Sequence, residues 1–145
     1  MRINTWNPKS NKIKMFRKIG ILLFVATIFA SMTVQTALAC HTYTPGYWKN
    51  HPDDWPTDTV TLGGIPYNKM TVIEILKTPP RGSAIVILQR YLIAAKLSVA
   101  AGDAEGIFGT LIEQADAWLM DPADREAGIA IAEQLGAILE QWATD

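Results

Sequence analysis

The residues best suited to act together in chemistry lie between positions 40 and 54. A thiol, two imidazoles and two carboxylates fall within these fifteen positions: Cys40, His41, His51, Asp53 and Asp54. Thiolate and imidazole are ligands that zinc and copper favour, and carboxylates complete many such sites. The spacing matches no standard zinc pattern, and His51 could instead bond the local backbone. The cluster therefore has two interpretations, a zinc or copper site and a loop without a cofactor.

The same stretch is rich in aromatic side chains with polar neighbours. Six residues could form a surface for a sugar ring or a protein partner: Tyr43, Tyr47, Trp48, Lys49, Asn50 and Trp55. Aromatic faces with polar tips suit both kinds of ligand. The competing interpretation is structural, because burying each ring would contribute about 1.5 to 3 kcal/mol to a segment without regular backbone hydrogen bonding. The pattern favours this core interpretation and leaves glycan binding through Trp48 and Trp55 as an alternative.

The chain begins with the pattern of a secretory signal peptide. Two basic residues precede a densely apolar stretch, 19–30, and small residues occupy positions 37 and 39. We expect residues 1–39 to be removed, with Met15 as an alternative start. A transmembrane anchor is one rival, although polar residues dilute the segment after position 30. A lipoprotein signal is the other, because Cys40 follows the expected cleavage point.

Removal of the leader would leave a single domain, 40–145, with a marked negative charge. The leader holds six of the 13 basic residues and none of the 14 acidic ones, so the mature net charge is −7. Such a surface disfavours nucleic acid and anionic membranes as partners. The sequence thus predicts an acidic, extracytoplasmic protein, secreted, periplasmic or at the cell surface. It would meet a membrane only through its leader or through a lipid on Cys40.

Cys40 is the only cysteine in the chain. An odd cysteine in an exported protein suggests a disulfide partner in another chain or a reactive thiol, and a partly buried thiol without a role is the alternative. As a nucleophile, with His41 or His51 as its base, Cys40 would sit beside a flexible chain end. A preorganised site is difficult to build there. We therefore expect no enzymatic activity.

The elements that would position these residues are mainly helical. The segment 40–58 holds three prolines and shows neither helical nor strand periodicity, so it is expected to be irregular and held by its aromatic side chains. Apolar residues alternate with polar ones before Gly63 and Gly64, and a short apolar return follows. This pattern predicts a hairpin over 59–67.

Four helices are predicted after the hairpin. The expected spans are 69–77 with Asn68 as cap, 84–101 with Ser83, a third helix capped by Asp103 and reaching Met120, and a last helix from Pro122 with Asp121. Apolar spacings of three and four predict inward faces that include Met70, Ile85 and Trp142. The expected fold class is mainly α, a small bundle of about four helices preceded by an irregular aromatic segment and a short β-hairpin.

One string is distinctive: Thr-Pro-Gly-Tyr-Trp-Lys-Asn-His-Pro over 44–52, here called the signature string, with Trp55 and Pro56 just after it. Four further segments contribute to a resemblance: Leu-Gly-Gly at 62–64 with Tyr67, the loop 78–82, Leu-Ile-Ala-Ala-Lys-Leu at 92–97 and Ala-Asp-Ala-Trp-Leu at 115–119. On these residues the chain resembles an uncharacterised module of secreted bacterial proteins. The resemblance implies export and a shared fold, without an activity. It also implies a second, C-terminal cysteine that would pair with the first, whereas this chain ends Gln-Trp-Ala-Thr-Asp.

Together these observations favour an exported, non-enzymatic domain. It would be an interaction or structural module, at the cell surface, in the envelope or secreted, and its unknown partner would be a protein or glycan outside the cytoplasm. One alternative is an extracytoplasmic metal-binding protein that uses the cluster at 40–54. The other is a carbohydrate-binding module that uses Trp48 and Trp55.

Overall fold

A computed structural model of the chain describes residues 41–102, 104 and 106–143. The expected leader 1–39, Cys40 and the expected helix cap Asp103 lie outside the described residues. The helices are α1 (Pro45–Asn50), α2 (Lys69–Lys77), α3 (Ala84–Ala100), α4 (Leu111–Met120) and α5 (Arg125–Gln141), and the strands are β1 (Thr59–Leu62) and β2 (Ile65–Asn68). The predicted fold class, mainly α with a hairpin after an aromatic segment, is confirmed. No helix of the described part is long and apolar enough to cross a membrane.

The hairpin forms where the sequence predicts it. Strands β1 and β2 pair antiparallel, and Leu62 faces Ile65 across the turn. Gly63 and Gly64 both have positive φ, 54° and 79°, which is the backbone that a tight two-residue hairpin turn requires. A Cβ on Gly63 would also lie only 3.0 Å from the Cβ of Leu119, so a larger residue would push the turn away from α4. The two glycines therefore fix both the turn and its contact with the helices.

Helix α3 lies at the centre of the fold. It packs against α1, α2, α4, α5 and β1. Because it has neighbours on so many sides, its buried surface is wider than one amphipathic stripe and includes the adjacent residues Leu92, Ile93, Ala94 and Ala95. The remaining elements are thus arranged around one almost wholly apolar helix.

Two glycines let α5 approach its neighbours closely. A Cβ on Gly136 would lie 3.1 Å from the ring of Tyr91 on α3. A Cβ on Gly128 would lie 2.5 Å from the ring of Trp118 on α4, closer than atoms can pack. Each glycine gives up helix propensity of about 1 kcal/mol relative to alanine, and in return an aromatic ring seats directly on the α5 backbone. The bundle is therefore closed by ring-on-glycine contacts.

The starts of the last two helices differ from the prediction. Helix α4 begins at Leu111, well after Asp103, because Gly106 and Gly109 adopt positive φ of 83° and 51° and interrupt the helix. Helix α5 begins at Arg125 instead of near Pro122. Its cap is Asp124, whose Oδ1 accepts the backbone N–H groups of residues 126 and 127 at 2.9 and 3.4 Å. The predicted cap Asp121 is thus wrong by three residues.

Three residues expected to face inward are exposed. Met70 is 74% exposed, because the inward face of α2 is centred on Val72 and Leu76, four residues apart. Ile85 is exposed because Ala84 takes the buried position in the first turn of α3. Trp142 is exposed because α5 has ended before it, so the helical spacing no longer places it on the inward face. These errors all fall at helix ends, where few neighbours define a buried side.

Candidate functional site

The signature string forms a complete short helix. The segment expected to be irregular contains α1, followed by a 3-10 turn over Pro52–Asp54. Thr44 caps α1, and its Oγ1 accepts the backbone N–H of Tyr47 at 3.3 Å. Pro45 occupies the first helical position, where its fixed φ suits the helix and its missing N–H leaves no donor unpaired. The start of the string is therefore a helix-initiating signal that apolar periodicity alone did not reveal.

The end of α1 is closed by side chains. The carbonyl of Trp48 would normally accept the N–H of residue 52, but Pro52 has none. The indole Nε1–H of Trp55 donates to this carbonyl instead, at 2.8 Å. The carbonyl of Tyr47 accepts the backbone N–H of His51 at 2.9 Å, and Nδ1 of the same histidine lies 3.0 Å away. The positions of His51, Pro52 and Trp55 are thus explained by the backbone groups that must be satisfied at the end of α1.

The two tryptophans lie in the hydrophobic core. Trp48 is 1% exposed and Trp55 is 8% exposed. The ring of Trp48 meets those of Tyr43 and Tyr47 steeply, at 77° and 83° with centroids 5.3 Å apart, and its Nε1 has no acceptor among the described residues. Neither tryptophan offers a ring face to a sugar, so their burial favours the core interpretation over glycan binding through this pair.

The side of α1 that reaches solvent carries a stack of three rings. Tyr43, Tyr47 and His51, here called the ring stack, are spaced by four residues. Tyr47 lies in α1, Tyr43 just before its N-cap, and His51 at its C-cap. Tyr43 and Tyr47 have centroids 4.2 Å apart with planes at 21°, and Tyr47 and His51 have centroids 4.2 Å apart at 19°. The tyrosines are half-buried and His51 is exposed. Beside the stack, Lys49 is half-buried and Asn50 is exposed.

One side-chain hydrogen bond holds the middle ring in place. The Tyr47 hydroxyl donates to Oδ2 of Asp54 at 2.9 Å. This hydrogen bond to Asp54, with desolvation and the negative charge of the same carboxylate, raises the pKa of Tyr47 above its ordinary 10.0. The ring stack is consequently anchored to the 3-10 turn, and the phenol stays neutral at physiological pH.

The expected metal cluster is only partly described, since Cys40 lies outside the described residues. His41 is half-buried, while His51, Asp53 and Asp54 are exposed. Within 41–102, 104 and 106–143, no three His, Cys, Asp or Glu side chains gather as they would to hold a metal ion. His51 and Asp54 are instead engaged with Tyr47.

The segment just before the signature string is fixed to the C-terminal end of α5. Thr42 is fully buried, and its Oγ1 donates to the carbonyl of Leu139 at 2.7 Å while its N–H donates to the carbonyl of Trp142 at 3.0 Å. The N–H of Tyr43 donates to the buried Oγ of Ser98 on α3 at 3.2 Å. The first ring of the stack therefore starts from backbone that is held on both sides.

Sequence reasoning missed a polar network that joins the hairpin to the helices. Nζ of Lys96 donates to Oδ2 of Asp116 and to the carbonyl of Thr61, both at 2.5 Å, and Oδ1 of Asp116 accepts the N–H of Gly63 at 2.8 Å. Asp116 lies on α4, and its side chain is only 22% exposed. The available signal was Lys96 within the otherwise apolar run 92–97 of α3. Three segments of the resemblance, at 62–64, 92–97 and 115–119, meet in this network.

Comparisons with protein-family models, with curated proteins and with solved structures gave no match for the chain.

Proposed function

We propose that this chain is an exported, non-enzymatic domain that binds a partner outside the cytoplasm through the ring stack. Export is supported by the leader pattern at 1–39. A mature net charge of −7 supports solubility and a partner other than nucleic acid. The proposed setting is the cell surface, the envelope or the surrounding medium.

The observation that best supports an interaction role is the ring stack itself. Its three rings are parallel, exposed at the His51 end, and attached to backbone that is capped at both ends of α1. A surface that is already ordered loses little conformational entropy on binding, and aromatic rings dominate many interfaces. The stack could therefore receive a further flat group, either an aromatic side chain of a protein or a sugar ring.

The chemistry of the signature string supports a non-enzymatic role. Thr44 at its start, and His51 with the nearby Trp55 at its end, are used to close the helix. His51 stacks on Tyr47 and bonds its carbonyl, so its position is explained by a structural role. Turnover of any substrate on a broad hydrolase and oxidoreductase panel, lost in a His51→Ala variant that still folds, would contradict this part of the proposal.

Export is tested by the intact, non-reduced mass of the protein recovered from the medium, the membranes and the cytoplasm of its host. We expect a chain that begins at Cys40. An added lipid, or a disulfide to another chain, would identify Cys40 as an attachment point and would agree with an exported protein. The full-length 16.0 kDa chain, recovered only from the cytoplasm, would contradict export.

The contact surface is tested by site-specific photo-crosslinking in the host. A photoreactive residue replaces the exposed Asn50 beside the stack, and a matched control replaces the exposed Glu113 on α4. We expect one discrete adduct from position 50, none from position 113, and loss of the adduct when His51→Ala is added. Identical adducts from both positions, or an adduct that persists without the imidazole, would rule out the ring stack as the contact.

A further inference from the structure

A cavity separate from the ring stack opens where the start of α1 meets α3 and α5. Its volume is about 450 Å³, within the range of pockets that hold small ligands. Its walls are largely apolar, with Pro45 from α1, Ile87 from α3 and Leu139 from α5, and Pro80 of the loop before α3. An apolar body of a few carbon atoms would be shielded from water here.

Two opposite charges line the same cavity. Arg90 comes from α3 and Glu140 from α5. The two are not paired with each other, and none of the three ion pairs among the described residues includes either of them. Arginine forms forked hydrogen bonds to a carboxylate, and a glutamate accepts from an ammonium group. The cavity thus offers one site for each end of a zwitterion, with apolar walls beside them.

The same cavity is also lined by a ring that packs on a glycine. Tyr91 also lines the cavity, and its ring packs on Gly136, where a Cβ would come within 3.1 Å of the ring. The ring therefore packs directly on the α5 backbone at Gly136. This leaves a rigid aromatic surface on which an aliphatic or aromatic group can rest.

We propose that this cavity binds a small zwitterion with an apolar side chain, either a free aliphatic or aromatic amino acid or a short peptide of such residues. The carboxylate is bound by Arg90, the ammonium by Glu140, and the side chain by the apolar walls. This binding site goes beyond the proposed partner contact and uses none of the rings of the stack.

The test is calorimetric titration of the exported protein, purified from its host, with L-leucine, L-phenylalanine and dileucine. Two analogues remove one charge each: leucinamide lacks the carboxylate, and N-acetylleucine lacks the ammonium group. We expect saturable binding of at least one zwitterion and a loss of about tenfold or more for each analogue, because a hydrogen bond to a charged group is removed. Tighter binding of leucine assigns the free amino acid, and tighter binding of dileucine assigns peptide ends.

Variants assign each charge to its residue. Arg90→Gln should remove the discrimination between leucine and leucinamide, and Glu140→Gln that between leucine and N-acetylleucine. The matched controls are Arg81→Gln and Glu133→Gln, both exposed and outside the cavity lining; they should change neither ratio. Absence of saturable binding by any of the three zwitterions would overturn the proposal, as would ratios unchanged in both cavity variants. The analogues test it even if a variant does not fold.

Discussion

The aromatic residues in and around α1 form a buried side and a side that reaches solvent, and the two sides have different roles. Trp48 and Trp55 face the core, where one caps a carbonyl and both are removed from water. The ring stack has two half-buried tyrosines packed against the core and ends in an exposed imidazole. Composition alone cannot separate these sets, because both are aromatic and both come from one short stretch. Burial and stacking separate them, since the stacked rings end in solvent whereas both indoles are buried.

The closure of α1 also accounts for several residues in and just after the signature string. On the inner side, Pro52 lacks the N–H that the carbonyl of Trp48 would accept, and the indole N–H of Trp55 donates to that carbonyl instead. On the outer side, the same proline begins the 3-10 turn that carries Asp54 to the Tyr47 hydroxyl. Residues whose types suggest a chemical site can therefore instead satisfy the backbone groups at the ends of a helix and leave one ring exposed.

Removal of a ring from each side should give the largest contrast. Trp48→Ala is expected to lower the free energy of unfolding by about 3 to 5 kcal/mol, because it leaves a large cavity in the core. His51→Ala should cost about 1 kcal/mol, because it loses one exposed stacking contact. Equilibrium unfolding in urea measures both. Similar costs for the two variants would mean that α1 is not divided into a buried and an exposed side.

The two buried indoles should differ by a smaller amount. Trp55→Phe removes the donor to the Trp48 carbonyl, whereas Trp48→Phe removes an N–H that has no acceptor among the described residues. We expect Trp55→Phe to be the more destabilising by about 1 to 3 kcal/mol, the cost of a buried carbonyl left unpaired. The two unfolding curves, recorded side by side, decide the matter. A larger cost for Trp48→Phe would remove the capping role of Trp55.

The smallest effect concerns the Tyr47 hydroxyl. Asp54→Asn should bring the pKa of Tyr47 down towards 10.0, because the charged acceptor that holds its proton is lost. Ultraviolet titration of tyrosinate absorbance, with Tyr47→Phe to assign the signal, measures this change. The raised folded-state pKa contributes stability below pH 10 that is lost as pH rises through the folded pKa, so the asparagine variant should lose less stability in that range. An unchanged titration would show that this hydrogen bond is absent in solution.

Much of the fold was predictable because its signals are local. The hairpin turn at Gly63 and Gly64 and the caps Asn68 and Ser83 each depend on residues within a few positions, and all stand where the sequence predicted. The aromatic core role of Trp48 was also favoured. Neighbouring residues contain enough information for such features, since turn geometry and capping are set by two or three side chains.

The remainder depends on contacts that no local window contains. Lys96 meets Asp116 twenty residues later, and Asp116 meets Gly63, 53 residues earlier. Helix α1 is an exception, because its signals are local. It was missed because three prolines suggested an irregular chain, although one of them begins a helix and another ends it. The cavity lined by Arg90 and Glu140 is likewise assembled from α1, α3 and α5, far apart in sequence.

The division of α1 into two sides is tested most directly by dye-sensitised photo-CIDNP NMR, which polarises only those tyrosine, tryptophan and histidine rings that the solvent can reach. We expect polarised signals from His51 and from the exposed Trp142, and none from Trp48 or Trp55. Tryptophan-to-phenylalanine variants assign the indoles. Polarised Trp48 or Trp55, with His51 silent, would contradict the division.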